Sequence, residues 1–238
     1  RLVGSEMCIR DRLFIDEMAP RLVTGNTQIA VVLWNTTACY QQEFTSDVDI
    51  LKTALDGIIS PQPFGNPYVN PICTAEGYQP SGSTQHARGF EKSVRALRDK
   101  AIARPTAENV IITCTDGNGI GIANLTDIGY SVIVDDTTVS QSVAECQMIL
   151  LTDQVKANLA GKPSKVMMLA VGTKEERGFV ESAFINHACT GSSKYYPSLN
   201  DKGQPYYYDA GNFNTIGDFA KQLVIGLEAQ FIPAFSCP

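Results

Sequence analysis

Apolar residues fall into two periods along this chain, and the two alternate. Residues 28–34 (QIAVVLW), 110–115 (VIITCT) and 166–171 (VMMLAV) are short apolar runs with β-branched side chains, the pattern of strands buried on both faces. Between them lie segments whose apolar residues recur every three or four positions, as on a helix with one buried face. Val48, Leu51, Leu55 and Ile58 define such a helix over 46–59, with Ser46 and Asp49 as its capping box. Phe90, Val94, Leu97 and Ala101 define another over 85–103. Further helices are predicted over 140–159, stopped by Gly161 and Pro163, over 175–188, and over 215–230 with Ile216, Phe219, Leu223 and Leu227 inward. Residues 13–19 read as the tail of a helix, 40–44 as an antiparallel hairpin partner of 28–34, and 206–209 as a short edge strand. Pro61, Pro63, Pro67, Pro71 and Pro80 exclude regular structure over 60–80, and 117–139 is a loop with some local strand. This alternation predicts one α/β domain with a mainly parallel sheet and helices on both faces.

Residues 1–12 (RLVGSEMCIRDR) show no coherent period. Leu2 to Asp11 back-translate into what looks like a transposon-end adapter used to build sequencing libraries, so 1–12 is read as a non-native segment and 13–238 as the domain. Setting aside three Arg, one Glu and one Asp moves the formal charge from −6 to −7. A negative chain without a Lys/Arg cluster excludes a general nucleic-acid or anionic-membrane binder. No apolar run approaches the roughly 20 residues that span a bilayer. Without Cys8, the cysteines are Cys39, Cys73, Cys114, Cys146, Cys189 and Cys237, none in a zinc-type Cys-x-x-Cys spacing. Cys114 reads as a free thiol in a buried strand. The other five fall at predicted loops or helix surfaces, which favours an oxidising compartment, such as an extracytoplasmic one.

Two segments carry candidate chemistry, placed where open α/β sheets hold ligands, at the carboxyl ends of strands. Ser81-Gly82-Ser83-Thr84 leads into the helix over 85–103, with Gly89 five residues beyond Thr84. Thr115-Asp116-Gly117 follows directly on the strand over 110–114. A hydroxyl and a carboxylate on neighbouring loops suit a hard divalent ion such as Mg²⁺.

The Gly82-Ser83-Thr84 run with Gly89, the strand end at 111–117 (IITCTDG) and the strand at 166–172 (VMMLAVG) resemble von Willebrand factor type A (vWA) domains, and the order of elements agrees over roughly 13–230. The resemblance implies a Rossmann-like fold and a metal-ion-dependent adhesion site (MIDAS) built from three loops: Asp-x-Ser-x-Ser after the first strand, then a threonine, then an aspartate. Thr84 and Asp116 match the second and third. Ser83 stands where the family usually has a second glycine, which bears on loop geometry. The first loop has no match in the chain, and its place would be upstream of Leu13, so the domain is read as N-terminally truncated and lacking its first strand. On this resemblance the chain is a metal-dependent protein-binding or adhesion module and not an enzyme. Its cofactor would be Mg²⁺ (or Mn²⁺ or Ca²⁺), weak or absent in a truncated domain, and its partner a protein presenting an acidic side chain. The segment 206–210 (YYYDA) before a helix is similar to vWA domains of bacterial pilus-assembly and surface proteins.

Blander readings stand beside these. An isolated Asp-Gly at a strand end is more often a turn cap, and a lone threonine before a helix an N-cap; the order and spacing of the two together favour the metal. His86 and His187 sit in no catalytic pattern and read as surface or packing residues. Tyr195, Tyr196 and Tyr206 to Tyr208 read as loop and edge-strand packing, and Trp34 as core. One alternative is a Rossmann-type nucleotide-binding enzyme, suggested by Gly117-Asn118-Gly119-Ile120-Gly121. It lacks the third glycine of that motif, at Ile122, and a helix directly after it. The other is a metal-free structural scaffold of the vWA type. Loss of a central strand would leave 28–34 and 110–114 with unpaired edges, so thermal unfolding of the isolated chain is expected to be broad and low; a cooperative transition at an ordinary midpoint contradicts this.

Overall fold

A computed structural model describes residues 20, 27–34, 37–59, 85–115, 117, 120–133, 139–185, 189, 195–209 and 211. The predicted helices over 13–19 and 215–230 and the proline-rich loop over 60–80 lie outside them. Strands β1 (Ile29–Trp34) and β2 (Ala38–Thr45) form the expected antiparallel hairpin, with Trp34 opposite Ala38 and an irregular register around Val31. Helix α1 (Val48–Ile59) follows and buries Leu51 completely. Its cap is Asp47 and not the predicted Ser46: the Asp47 carboxylate accepts from the Asp49 and Ile50 amides at 2.9 and 3.2 Å. Asp47 stands directly before the first helical residue, and its negative charge faces the positive end of the helix dipole.

Helix α2 (His86–Ala103) buries Phe90, Val94, Leu97 and Ala101, the face expected from the periodicity. Strand β3 (Asn109–Thr115) comes next, then a two-residue ladder of β4 (Ala123–Asn124) with β5 (Val132–Ile133). Helix α3 (Gln141–Ala157), β6 (Ser164–Ala170), α4 (Lys174–Phe184) and β7 (Tyr207–Asp209) complete the described elements. The strands β3, β6 and β7 lie side by side and parallel in that order. Their carboxyl ends are level, since Thr115 pairs with Ala170 and Ala170 with Asp209.

Alternate residues of β6, Val166, Met168 and Ala170, join α2, α3 and α4 in one apolar cluster. The intervening Met167 and Leu169 face the other way and are equally buried, so both faces of β6 are covered. Strand β3 departs from the expectation of complete burial. Ile111, Thr113 and Thr115 are buried, while Val110, Ile112 and Cys114 are half-buried, so one face of the strand is more fully covered than the other. Among the described residues β3 has a strand partner on one edge only.

Helix α4 starts on a true capping box, Thr173 with Glu176, and its regular part ends at Phe184, earlier than 188; residues 186–188 lie outside the described residues. A disulfide joins Cys146 of α3 to Cys189 with Cα atoms 5.4 Å apart, a linkage worth about 2–4 kcal/mol. Cys39 is also disulfide-bonded, and it lies fully buried within β2 instead of in a loop. Cys114 carries a thiol and not a disulfide, as expected. Among the described residues no helix is long and apolar enough to cross a membrane.

The hairpin meets α2 through one close approach. A Cβ on Gly89 would stand 2.5 Å from Cγ of Trp34 and 2.6 Å from its Cδ1, so only glycine lets the indole lie against the helix. We expect Gly89→Ala to destabilise the fold by about 1–3 kcal/mol and to shift the fluorescence of the single tryptophan. Gly178 of α4 has open space around it, and Gly178→Ala should instead stabilise by about 1 kcal/mol in the same denaturation assay.

Candidate functional site

Thr84 and Asp116 lie outside the described residues, but Gln85 after the first and Thr115 and Gly117 around the second are placed. Thr84 is followed by Gln85 and the start of α2; Asp116 is flanked by Thr115, which ends β3, and by Gly117. A helix begins with amides that have no partner within the helix. Here the Ala87 amide, in the first turn of α2, donates to the Ile120 carbonyl at 2.7 Å, so the loop after β3 caps the helix after Thr84. Gly121 allows that approach. Its φ is +73°, and a Cβ there would stand 2.7 Å from the Gln85 Cβ and 3.1 Å from the Gln85 Cα. Thus the start of α2 and the segment after β3, far apart along the chain, are joined by a backbone hydrogen bond and a glycine contact.

The N-cap position of α2 and the closure of the turn after β3 fall on neighbours of Thr84 and Asp116, although the Gln85 side chain makes no capping bond. The N-cap position of α2 is Gln85, so Thr84 stands one residue too early to be the cap. The turn after β3 is closed by Thr115, whose hydroxyl donates to the Gly117 carbonyl at 3.0 Å and accepts from the Gly117 amide at 3.2 Å. No helix follows Gly121. Instead come β4 and a 3-10 turn (Thr126–Ile128), so a dinucleotide phosphate would find no helix N-terminus there. Among the described residues no three His, Cys, Asp or Glu side chains cluster as a metal site.

Beneath the two loops lies a polar thread that sequence reasoning missed. His86 is fully buried, and its Nε2 is 3.0 Å from the Tyr196 hydroxyl, which in turn is 3.1 Å from the Thr113 hydroxyl. Its ring stacks on Trp34 at 5.3 Å and meets Phe184 and Tyr196 edge-on at 5.1 Å. Histidine as packing residue is therefore the right class, but it is a core residue and not a surface one. His187 lies outside the described residues. Tyr196 is held from behind by Lys156, whose ammonium donates to the Tyr195 carbonyl at 2.9 Å and pairs with Asp153 at 2.6 Å. Burial pulls the Lys156 pKa down from the ordinary lysine value, against the pull of Asp153. Helical periodicity placed His86 on α2, but no local signal links it to Tyr196, which is 110 residues away.

At the same edge of the sheet, the Arg177 guanidinium sits against the Asp209 carboxylate and donates to the Gly172 and Gly211 carbonyls at 2.6 and 3.0 Å. This ties the turn after β6 to the turn after β7. The carboxyl ends of all three parallel strands therefore carry closed, hydrogen-bonded turns.

Among solved structures, the chain aligns with the PilB minor pilin from Streptococcus sanguinis at a TM-score of 0.56, over 98% of this chain and 56% of that one, with 14% identity. The D319A mutant of that pilin gives 0.53 over 96% of this chain and 56% of that one, also at 14% identity. The fold is that of a vWA-like domain. This vWA-like chain spans a little over half the length of the minor pilin. Proximal thread matrix protein 1 from the mussel byssus, in a structure with a zinc-occupied MIDAS motif, aligns at 0.48 over 93% of this chain and 42% of that one, with 12% identity. No family model matches the sequence, and no curated protein matches it.

Burial pushes the His86 pKa down to about 3 from 6.5. The unfolded chain therefore takes up this proton first, so the vWA-like domain keeps its full stability above pH 6.5 and loses it as the pH falls toward 3. Denaturant titrations should find about 2 kcal/mol less stability from this group at pH 5 than at pH 7.5, a difference that His86→Phe removes. An equal loss in the variant would assign the acid sensitivity elsewhere.

Proposed function

We propose that this vWA-like domain is a metal-dependent protein-binding module, with Thr84 and Asp116 holding a divalent cation between the start of α2 and the end of β3. The observation that supports this reading is the junction itself. The first turn of α2, which follows Thr84, and the segment after β3, which follows Asp116, are drawn together by the Ala87 to Ile120 bond and the glycine at 121, while Thr115 closes the turn at Gly117. A hydroxyl and a carboxylate are hard oxygen donors and fit Mg²⁺, Mn²⁺ or Ca²⁺. Bound there, such an ion keeps much of its charge and can take a carboxylate of a partner protein as a further ligand. The chain's own part is to hold the two loops in register and keep their backbone groups satisfied. It acts as a binding module and not as an enzyme.

Disulfides at Cys39 and between Cys146 and Cys189 favour an oxidising, extracytoplasmic setting. Taken with the similarity to a minor pilin, this suggests a role in surface attachment or pilus assembly. Weak metal binding is best read by paramagnetic broadening. Mn²⁺ added to the labelled chain should broaden the amides of Gln85, Thr115 and Gly117 selectively. Asp116→Ala should abolish the effect. Thr84→Ala should weaken it by at least the roughly tenfold that loss of a mere supporting group costs. Broadening that survives both substitutions sinks the assignment, and none in the unmodified chain favours a metal-free scaffold of the same fold.

A further inference from the structure

We infer that Tyr196 is a positioning residue for the junction of α2 with β3: its hydroxyl, held between His86 and Thr113, fixes the first turn of α2, which follows Thr84, against the strand that leads to Asp116. The inference rests on the metal reading for its functional meaning and on geometry for its substance. His86 opens α2, two residues after Thr84. Thr113 lies two residues before the end of β3, on the same face as Thr115 and about 7 Å along the strand from it. The Tyr196 hydroxyl, 3.0 Å from one and 3.1 Å from the other, is the only described polar group that touches both.

Proton placement gives the thread a direction. The His86 Nδ1 is buried and, among the described residues, has no partner. If the ring proton sat there, a buried N–H would be orphaned, the costlier fault in a protein interior. The arrangement without that fault has Nε2–H donating to the Tyr196 oxygen and the Tyr196 O–H donating to Thr113. Tyr196 is itself anchored by its amide, which donates to the Phe184 carbonyl at 3.0 Å, and by the Lys156 clamp on the adjoining carbonyls. The hydroxyl therefore sits at the end of a rigid support and can hold α2 in place.

The decisive substitution is Tyr196→Phe, which keeps the ring and removes only the hydroxyl. Hydrogen exchange of the Ala87 amide reports the junction directly, because that amide bonds to Ile120. We expect Tyr196→Phe and Thr113→Val each to speed exchange at Ala87 and across 120–121 by about fivefold, with amides inside α3 unchanged. Thr113→Ser, which keeps a hydroxyl, should restore the slow rate. Mn²⁺ broadening at Gln85 and Thr115 should weaken in the first two variants and return in the third. Unchanged exchange at Ala87, or a rise spread equally through α3, would overturn the inference. If local loosening occurs while the unmodified chain shows no Mn²⁺ broadening, the positioning role stands and the metal reading falls.

Discussion

Helix α2 begins with amide groups that no residue of its own can satisfy, and the site depends on where their partner comes from. Capping by a side chain from its own flank would have left α2 free to slide over the sheet. The acceptor is instead the Ile120 carbonyl, in the loop beyond β3. A bond of this kind is worth about 1 kcal/mol net, but a buried helix end left without it would lose more. The Ala87 amide is satisfied when the segment after β3 lies against the start of α2, so that junction is built into the fold.

That junction is supported by aromatic packing with a few polar atoms inside it. Trp34 comes from the hairpin, His86 from α2, Phe184 from α4 and Tyr196 from the segment before β7, so four separate parts of the chain meet around one imidazole. The same burial that makes the cluster tight keeps His86 neutral and raises the Tyr196 phenol above its ordinary value. Neutral rings with matched donors can occupy a core, whereas a charged imidazolium there would lose its hydration.

Outside the core, long basic side chains hold the turns. Lys162 donates to the carbonyls of Arg104 and Pro105 and so fixes the approach to β3. Arg95 grips both oxygens of Asp127 at 2.8 and 2.9 Å and the Asn124 carbonyl at 2.7 Å, which holds the β4–β5 ladder onto α2. With the Lys156 clamp and the Cys146–Cys189 disulfide, these contacts restrain the connecting segments around the parallel strands. The turns at the carboxyl ends can then hold fixed shapes without regular structure of their own.

The amino-acid sequence by itself determined what depends on neighbours a few residues apart. The buried face of α2, the hairpin of β1 with β2, the short edge strand at β7 and the alternation that makes the sheet parallel were all readable from period and turn residues. The threonine and aspartate of the candidate site, Thr84 and Asp116, lie outside the described residues. Where two equivalent local choices stood side by side, as with Ser46 and Asp47, local pattern picked the wrong one, because caps of similar strength differ only in their position relative to the first helical residue. Tertiary structure alone decided that Ile120 caps α2, that Gly121 is needed against Gln85, that Cys39 is buried, and that His86 meets Tyr196 and Thr113. These contacts join residues far apart in the chain, and they depend on how elements settle against one another after each has formed, which no local period encodes.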